Sequence, residues 1–206
     1  MYNNEQLDMI WNDCKIFKIQ QKKKEWISFL EILNKKSEKV DNILEIGCYD
    51  GGTTISLCRF CKNLITIDCI NPARFDINQI KQYCNYKYLS RNSQIIETKN
   101  EIYNLMPSID VLFIDGDHSY EGAKKDYELF SPLVKSGGLI VFHDIVDELM
   151  FENRKFVLTL WKELQLKYKT ELFYSDYENN LFSIDQYDKF YKGGEISWGG
   201  IGVCYV

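Results

Sequence analysis

The chain has two histidines, His118 and His143, and each follows a short apolar run with acids beside it. His118 closes the segment Asp110-Val-Leu-Phe-Ile-Asp-Gly-Asp-His118, and His143 stands in Gly137-Gly-Leu-Ile-Val-Phe-His-Asp144. Such runs read as strands of a parallel sheet buried on both faces, and ligands of these sheets bind beyond the strands' carboxyl ends. An aspartate leaving a strand at 115, with a histidine three residues on, puts an acid and a titratable base on one loop. Histidine is the natural general base near neutral pH. A single histidine is more often a surface or core residue, and His118 alone could merely cap the following helix or bond to backbone. Two of them, each next to an aspartate at a strand end, point to one polar site and to an enzyme acting on small molecules.

A glycine-rich segment adds the second half of a site. Ile43-Leu-Glu-Ile-Gly-Cys-Tyr-Asp-Gly-Gly-Thr-Thr54 runs from a strand into a helix. Gly47, Gly51 and Gly52 permit a tight turn and a close approach of ligand to backbone. The spacing is GxxxGG, not the GxGxxG of dinucleotide sites. Glu45, inside the strand, has no use at a pyrophosphate but would tolerate a cationic ligand carrying an amino group. Asp68 ends the next strand, which places a carboxylate beside the turn, suited to gripping two ribose hydroxyls.

These groups need a frame, and the hydrophobic pattern supplies one. Residues 6 to 14 and 21 to 34 read as helices, with Trp26, Phe29, Leu30 and Leu33 as one apolar stripe. Strands are expected at 42–46, 64–68, 86–90, 111–114, 139–142, 170–174 and 202–206. Helices are expected between them at 53–61, 75–84, 94–105, 120–134 and about 150–167. Strand–helix alternation implies right-handed βαβ units and an α/β, Rossmann-like, doubly wound seven-stranded sheet, mostly parallel. Residues 175–199 show no convincing helix but hold Tyr177, Phe182, Tyr187, Phe190, Tyr191 and Trp198. The last strand can therefore enter antiparallel after a long aromatic-rich excursion, which reads as a packed surface loop, a dimer contact or a substrate-facing lid.

Composition narrows the classes. At 206 residues with 45 % hydrophobic content, the chain suits one domain with a substantial core. Its net charge of −5 argues against a general nucleic-acid binder, which needs a basic face. Lys22-Lys23-Lys24 reads as a solvated helix face. No apolar stretch approaches the roughly 20 residues that span a bilayer, and the first residues lack the pattern of a secretory signal. The cysteines, seven in number, fall largely inside apolar runs, as small buried hydrophobes do. A reduced, cytoplasmic protein is expected. Cys58-Arg-Phe-Cys61 has no second pair with which to bind zinc.

On these residues the chain resembles the class I S-adenosylmethionine-dependent methyltransferases. The segment at 45–51 is similar to their E/D-x-G-x-x-x-G motif, and the likeness runs from about residue 20 to 145. The terminal strand fits the family's antiparallel seventh strand, so residues 1–206 are read as a single domain with N-terminal helices at 1–36. The resemblance implies S-adenosyl-L-methionine as cofactor, contacted by Glu45, Gly47, Cys48, Tyr49, Gly51, Gly52 and Thr53. It also implies Asp68 on the ribose, Asn92 and Ser93 at the adenine, and Asp115. The loop Asp115-Gly-Asp-His-Ser-Tyr-Glu-Gly resembles the methyltransferase family 24 branch and metal-dependent macrolide-sugar O-methyltransferases. More distantly it resembles catechol and caffeoyl-CoA O-methyltransferases. Those relatives imply a divalent metal at Asp115, His143 and Asp144, and catalysis by His118 with Asp115 and Asp144. His143 departs from them, since they carry a carboxylate or amide there. Either the metal is one that tolerates imidazole, or His143 supports the ligands from behind, or no metal binds.

The expected function is methyl transfer to a hydroxyl of a small molecule or sugar, with no nucleic-acid or membrane partner and with homodimerisation open. Three other classes compete. A nucleotide-dependent oxidoreductase would bind NAD, a noncatalytic S-adenosylmethionine-binding module would turn over nothing, and a metal-dependent hydrolase using the Asp/His cluster would need no S-adenosylmethionine.

Overall fold

In the computed structural model, residues 1–36, 40–69, 77–145, 156–175, 181–182 and 199–206 are described. The organising element is β4 (Ile109–Ile114), buried at every position. Its side chains alternate between faces, as strand geometry requires. Val111 and Phe113 join Ile43 on one face, while Leu112 and Ile114 join Leu44 and Ile46 on the other. Helices α1 (Asn4–Ile16) and α2 (Lys23–Lys35) cover the first face, and α5 (Ile96–Leu105), α6 (Tyr120–Phe130) and α7 (Val157–Gln165) cover the second.

The expected stripe on α2 is the buried one: Trp26, Phe29 and Leu30 are 0 % exposed. Trp26 and Phe29 pack on Phe113, and the Trp26 indole donates to Ser56 Oγ at 3.0 Å. Burying side chains of this size contributes about 1.5–3 kcal/mol each. α1 starts at a capping box in which Asn3 and Gln6 satisfy each other's backbone N–H groups.

Strands β1 (Val40–Ile46), β2 (Cys61–Asp68), β3 (Asn85–Ser90), β4, β5 (Val134–Phe142), β6 (Lys169–Ser175) and β8 (Ile201–Tyr205) form a seven-stranded sheet in the order β3-β2-β1-β4-β5-β8-β6. Every pairing among β1 to β5 is parallel, and β8 runs antiparallel between β5 and β6. A two-residue strand, β7 (Leu181–Phe182), pairs antiparallel with β6, so the excursion after 175 holds a strand that its sequence does not announce. The other residues of 176–198 lie outside the described part.

Two boundaries differ from expectation for physical reasons. The helix expected over 53–61 is one short turn, α3 (Thr54–Leu57), because β2 begins at Cys61 in register with Val40. The helix expected to reach 134 ends at Phe130, where Ser131-Pro132-Leu133 makes a 3₁₀ turn. Pro132 has no N–H with which to continue the helix. Within the described residues, the helix expected at 75–84 runs over Ile77–Lys81 (α4) and gives way to a turn before Asn85, and the one expected to reach 167 ends at Gln165 (α7).

Strand order reverses between β1 and β4, since β2 leads away from β1 on one side and β4 to β5 on the other. That reversal opens a crevice at the carboxyl edge, the place where doubly wound sheets hold ligands. The residues that leave β1, β2, β4 and β5 there are Gly47, Asp68, Asp115 and His143.

Candidate active site

The glycine turn is built by a buried acid. Glu45 on β1 is 0 % exposed and accepts from Thr53 Oγ1 at 2.5 Å, Thr54 Oγ1 at 2.6 Å and Thr66 Oγ1 at 2.8 Å. Burial pushes its carboxyl up to about 7 against the pull of those donors. Glu45 thus ties strand, turn and helix together beneath the site and does not line the cleft.

Gly47 follows with φ +82°, and a Cβ there would strike the carbonyl of Asp115. Only glycine lets β1 and β4 leave the sheet this close together. Tyr49, a non-glycine residue, also sits in the left-handed region at φ +48°. That conformation costs roughly 1–3 kcal/mol and is typically found where backbone is held for function. The turn is held from β2: Asp68 Oδ2 accepts from Cys48 N at 2.9 Å and from Tyr49 N at 3.1 Å.

From this turn a cleft of about 910 Å³ runs across the carboxyl edge. Gly47, Tyr49 and Asp68 line one end, Arg91, Asn92 and Ser93 the side, and Asp115, His118, His143 and Asp144 the far end. Sequence-predicted residues from the ends of five strands, β1 to β5, therefore meet in one cavity. Cys48, Gly52 and Thr53 face a smaller hollow of about 40 Å³ between the turn and residues 18–21.

The far end is a compact charge cluster. Asp115 divides its carboxylate: Oδ1 lies 3.2 Å from His143 Nδ1 and 3.4 Å from His118 Nε2, and Oδ2 accepts from Gln21 Nε2 at 2.6 Å. Asp144 Oδ2 lies 3.0 Å from His118 Nδ1, and its Oδ1 lies 3.4 Å from His143 Nδ1. Asp144 is itself in the left-handed region, at φ +51°.

His118 bridges the two acids with a half-exposed ring, and hydrogen bonds to Asp115 and Asp144 push its imidazole up to about 10. His143 is buried; burial opposes its charge, but Asp115 and Asp144 outweigh that and raise it well above the ordinary value. Burial would likewise raise Asp144, yet His143 and His118 overcome it and hold the carboxyl well below the usual range.

The cluster fits a cation. One ligand atom each from Asp115, His118 and Asp144 lie within 4.8 Å of one another. Asp144 Oδ1 is buried and makes only the 3.4 Å ionic approach to His143 Nδ1, with no well-aligned hydrogen bond among the described residues. His143 stands differently. An ionised carboxylate only accepts, so the Nδ1 facing both acids carries a hydrogen, and Nε2 points into the protein.

Three polar residues of the neighbourhood escape the sequence reading. Gln21 binds Asp115 as described. Glu25 on α2 is fully buried and accepts from Ser175 N at 2.7 Å and Gly200 N at 3.1 Å, fixing α2 to β6 and to the entry of β8. Asp126 on α6 is fully buried behind Gly116, and burial raises its carboxyl to about 6. Glu25 and Asp126 do leave a signal, since each falls at helical spacing among apolar residues: 25, 29, 33 and 123, 126, 127, 130.

Residues 44–145 match the family model of a methyltransferase domain, methyltransferase family 24. A curated relative, protein R132 of Acanthamoeba polyphaga mimivirus, is 35 % identical over 57 % of this chain; the match spans 58 % of the relative's length. Among solved structures, an O-methyltransferase from Bacillus cereus in complex with SAH is similar over 100 % of this chain and 93 % of its own, with TM-score 0.59 and 16 % identity. The MycE methyltransferase of the mycinamycin biosynthetic pathway, in complex with Mg and SAH, is similar over 87 % of this chain and 49 % of its own, with TM-score 0.57 and 16 % identity. Likeness at this level extends to an rRNA methylase and an N-methyltransferase, so it speaks to the fold and leaves the acceptor to the site.

Proposed function

Since residues 44–145 match the methyltransferase family 24 domain, we propose that the chain is a class I S-adenosylmethionine-dependent methyltransferase that methylates a hydroxyl of a small molecule or sugar, with a divalent ion at the acceptor end. The observation that carries this reading is the cleft itself. It joins a glycine turn braced by a strand-end aspartate to a two-carboxylate, two-histidine cluster, at the switch point of the sheet.

Within this reading the bound cofactor supplies a methyl group already activated on a sulfonium. The chain's work is to position the acceptor and manage its proton, and alignment of reactants can supply much of the rate. Gly47 and Gly51 bring backbone close to the cofactor, the carboxylate of Asp68 meets the ribose hydroxyls, and Asn92 and Ser93 border the adenine. Asp115 and Asp144 would hold the divalent ion, whose charge makes a nearby hydroxyl more acidic. With a cation held by the carboxylates, His118 would keep its proton between them less readily, and its neutral imidazole would then offer a nitrogen to the departing proton, while His143 keeps the two carboxylates aimed. Carboxylates suit magnesium; an added imidazole from His118 would favour manganese or zinc. Glu45 acts through the turn and touches none of the reacting groups.

Calorimetric titration tests the cofactor half of the proposal. S-Adenosylmethionine and S-adenosylhomocysteine should bind in the low micromolar range, roughly −7 to −8 kcal/mol, and NAD should not bind. Silence toward both at millimolar concentration would remove the reading. Transfer of radiolabelled methyl to a panel of sugars, catechols and amines, with and without chelator, tests the rest. Binding without any transfer would favour a noncatalytic module.

A further inference from the structure

The loop between α1 and α2 lies outside the segment that matches the family model, yet it walls one side of the glycine turn. A Cβ on Gly52 would lie 2.5 Å from Ile19 Cα, so turn and loop are in close contact. Between them is the hollow of about 40 Å³, lined by Lys18, Gln21, Gly47, Thr53 and Asp115 among others. It exceeds the roughly 10–15 Å³ needed for one water-sized group.

Gln21 governs its chemistry. The residue is 6 % exposed, and its Nε2 donates to Asp115 Oδ2 at 2.6 Å. An ionised carboxylate cannot donate, so the amide cannot be turned over: the NH₂ faces Asp115 and the carbonyl faces away. That carbonyl oxygen, Oε1, is buried and has no hydrogen-bond partner among the described residues. A buried acceptor without a donor is costly, and native structures rarely leave one without a purpose. The geometry points to a small donor completing this hollow. Asp115 and Gln21 both line it and both carry acceptors, so the donor it suits is a cation of ammonium size.

We propose that Gln21 Oε1 receives the α-ammonium of the cofactor's amino-acid head. This rests on the S-adenosylmethionine reading above and adds to it a specific residue from the loop between α1 and α2. Gln21 would also link the two ends of the site: its carbonyl meets the cofactor head, and its amide holds the oxygen of Asp115 that faces away from the histidines. In this role it is a binding and positioning residue and takes no part in proton transfer.

The test is a four-way calorimetric cycle. Wild type and Gln21→Met are each titrated with S-adenosylhomocysteine and with its analogue lacking the α-amino group, S-adenosyl-4-thiobutyrate. Hydrogen bonds to charged groups are worth about 10- to 100-fold in affinity. Wild type should therefore lose about 10- to 100-fold on removal of the amino group, and Gln21→Met should lose far less. Each ratio is internal to one protein, so a general weakening of the variant cancels. Gln21→Leu serves as a second variant should Gln21→Met not fold. If the amino group matters equally in wild type and variant, Gln21 does not receive it and the inference fails while the cofactor assignment stands. If wild type binds neither ligand, the cofactor assignment itself falls and takes this inference with it.

Discussion

Replacing Glu45 with glutamine should change how stability responds to pH, in a direction the burial of this residue dictates. Glu45 is 0 % exposed, and its folded pKa is about 7 against an ordinary 4.5. Below pH 4.5 both folded and unfolded chains carry the proton, and the contribution to stability is fully present. Between 4.5 and about 7 the unfolded chain has released it while the folded chain keeps it, so stability falls as pH rises. At 1.36 kcal/mol per pH unit, that loss amounts to about 3 kcal/mol by pH 7–8. Glutamine does not titrate, and it offers three hydroxyls one acceptor oxygen where the carboxyl offers two. An unmet buried hydroxyl costs about 1–3 kcal/mol. Glu45→Gln should thus be the less stable protein at pH 4.5. That disadvantage should shrink by about 3 kcal/mol by pH 8 and so vanish or reverse. Urea unfolding of both proteins across this range measures the difference, and the subtraction removes every other titrating group. A difference that stays flat with pH would refute the reasoning. One that grows with pH would mean that the three threonine hydroxyls overcome burial and keep the carboxylate charged.

Four further outcomes are expected. His118→Ala should lower methyl transfer about 10²–10⁴-fold, the usual loss for a positioned base, with S-adenosylhomocysteine affinity nearly unchanged in calorimetry. In wild type, the rate should rise with pH as the imidazole between Asp115 and Asp144 loses its proton, at about 10 in the metal-free cluster and lower with an ion bound; a rate indifferent to pH would dismiss His118 as the base. Asp68→Ala should weaken S-adenosylhomocysteine by about 1–3 kcal/mol, because it removes the ribose partner and frees the amides of Cys48 and Tyr49; unchanged affinity would refute this. Gly202→Ala should destabilise the fold by about 1–3 kcal/mol in urea, since the added Cβ would lie 2.5 Å from the Trp161 ring, and wild-type stability would show that α7 gives way freely.

The parts of this molecule legible in its sequence are those decided by local pattern. Continuous apolar runs mark the buried parallel strands, and a parallel sheet delivers whatever follows each strand to one edge. Reading Gly47, Asp68, Asp115 and Asp144 as neighbours therefore needed no knowledge of long-range contacts. The boundary errors arise where two local readings compete. Residues 55–61 suit a helix by composition, but pairing of Cys61 with Val40 starts β2 early and truncates α3. What the sequence hides is the buried polar scaffolding, because its partners are remote. Gln21 meets Asp115 across 94 positions, and Glu25 meets Ser175 across 150 and Gly200 across 175. His143 shows the consequence for function. Beside Asp144 at a strand end, it reads as a metal ligand. Yet β5 carries it under the edge, with one ring nitrogen on both carboxylates and the other turned inward. Residue type and spacing identified the cluster, whereas burial separates Asp115, His118 and Asp144, whose ligand atoms converge, from His143, which reaches the cleft wall but turns its Nδ1 to the two carboxylates.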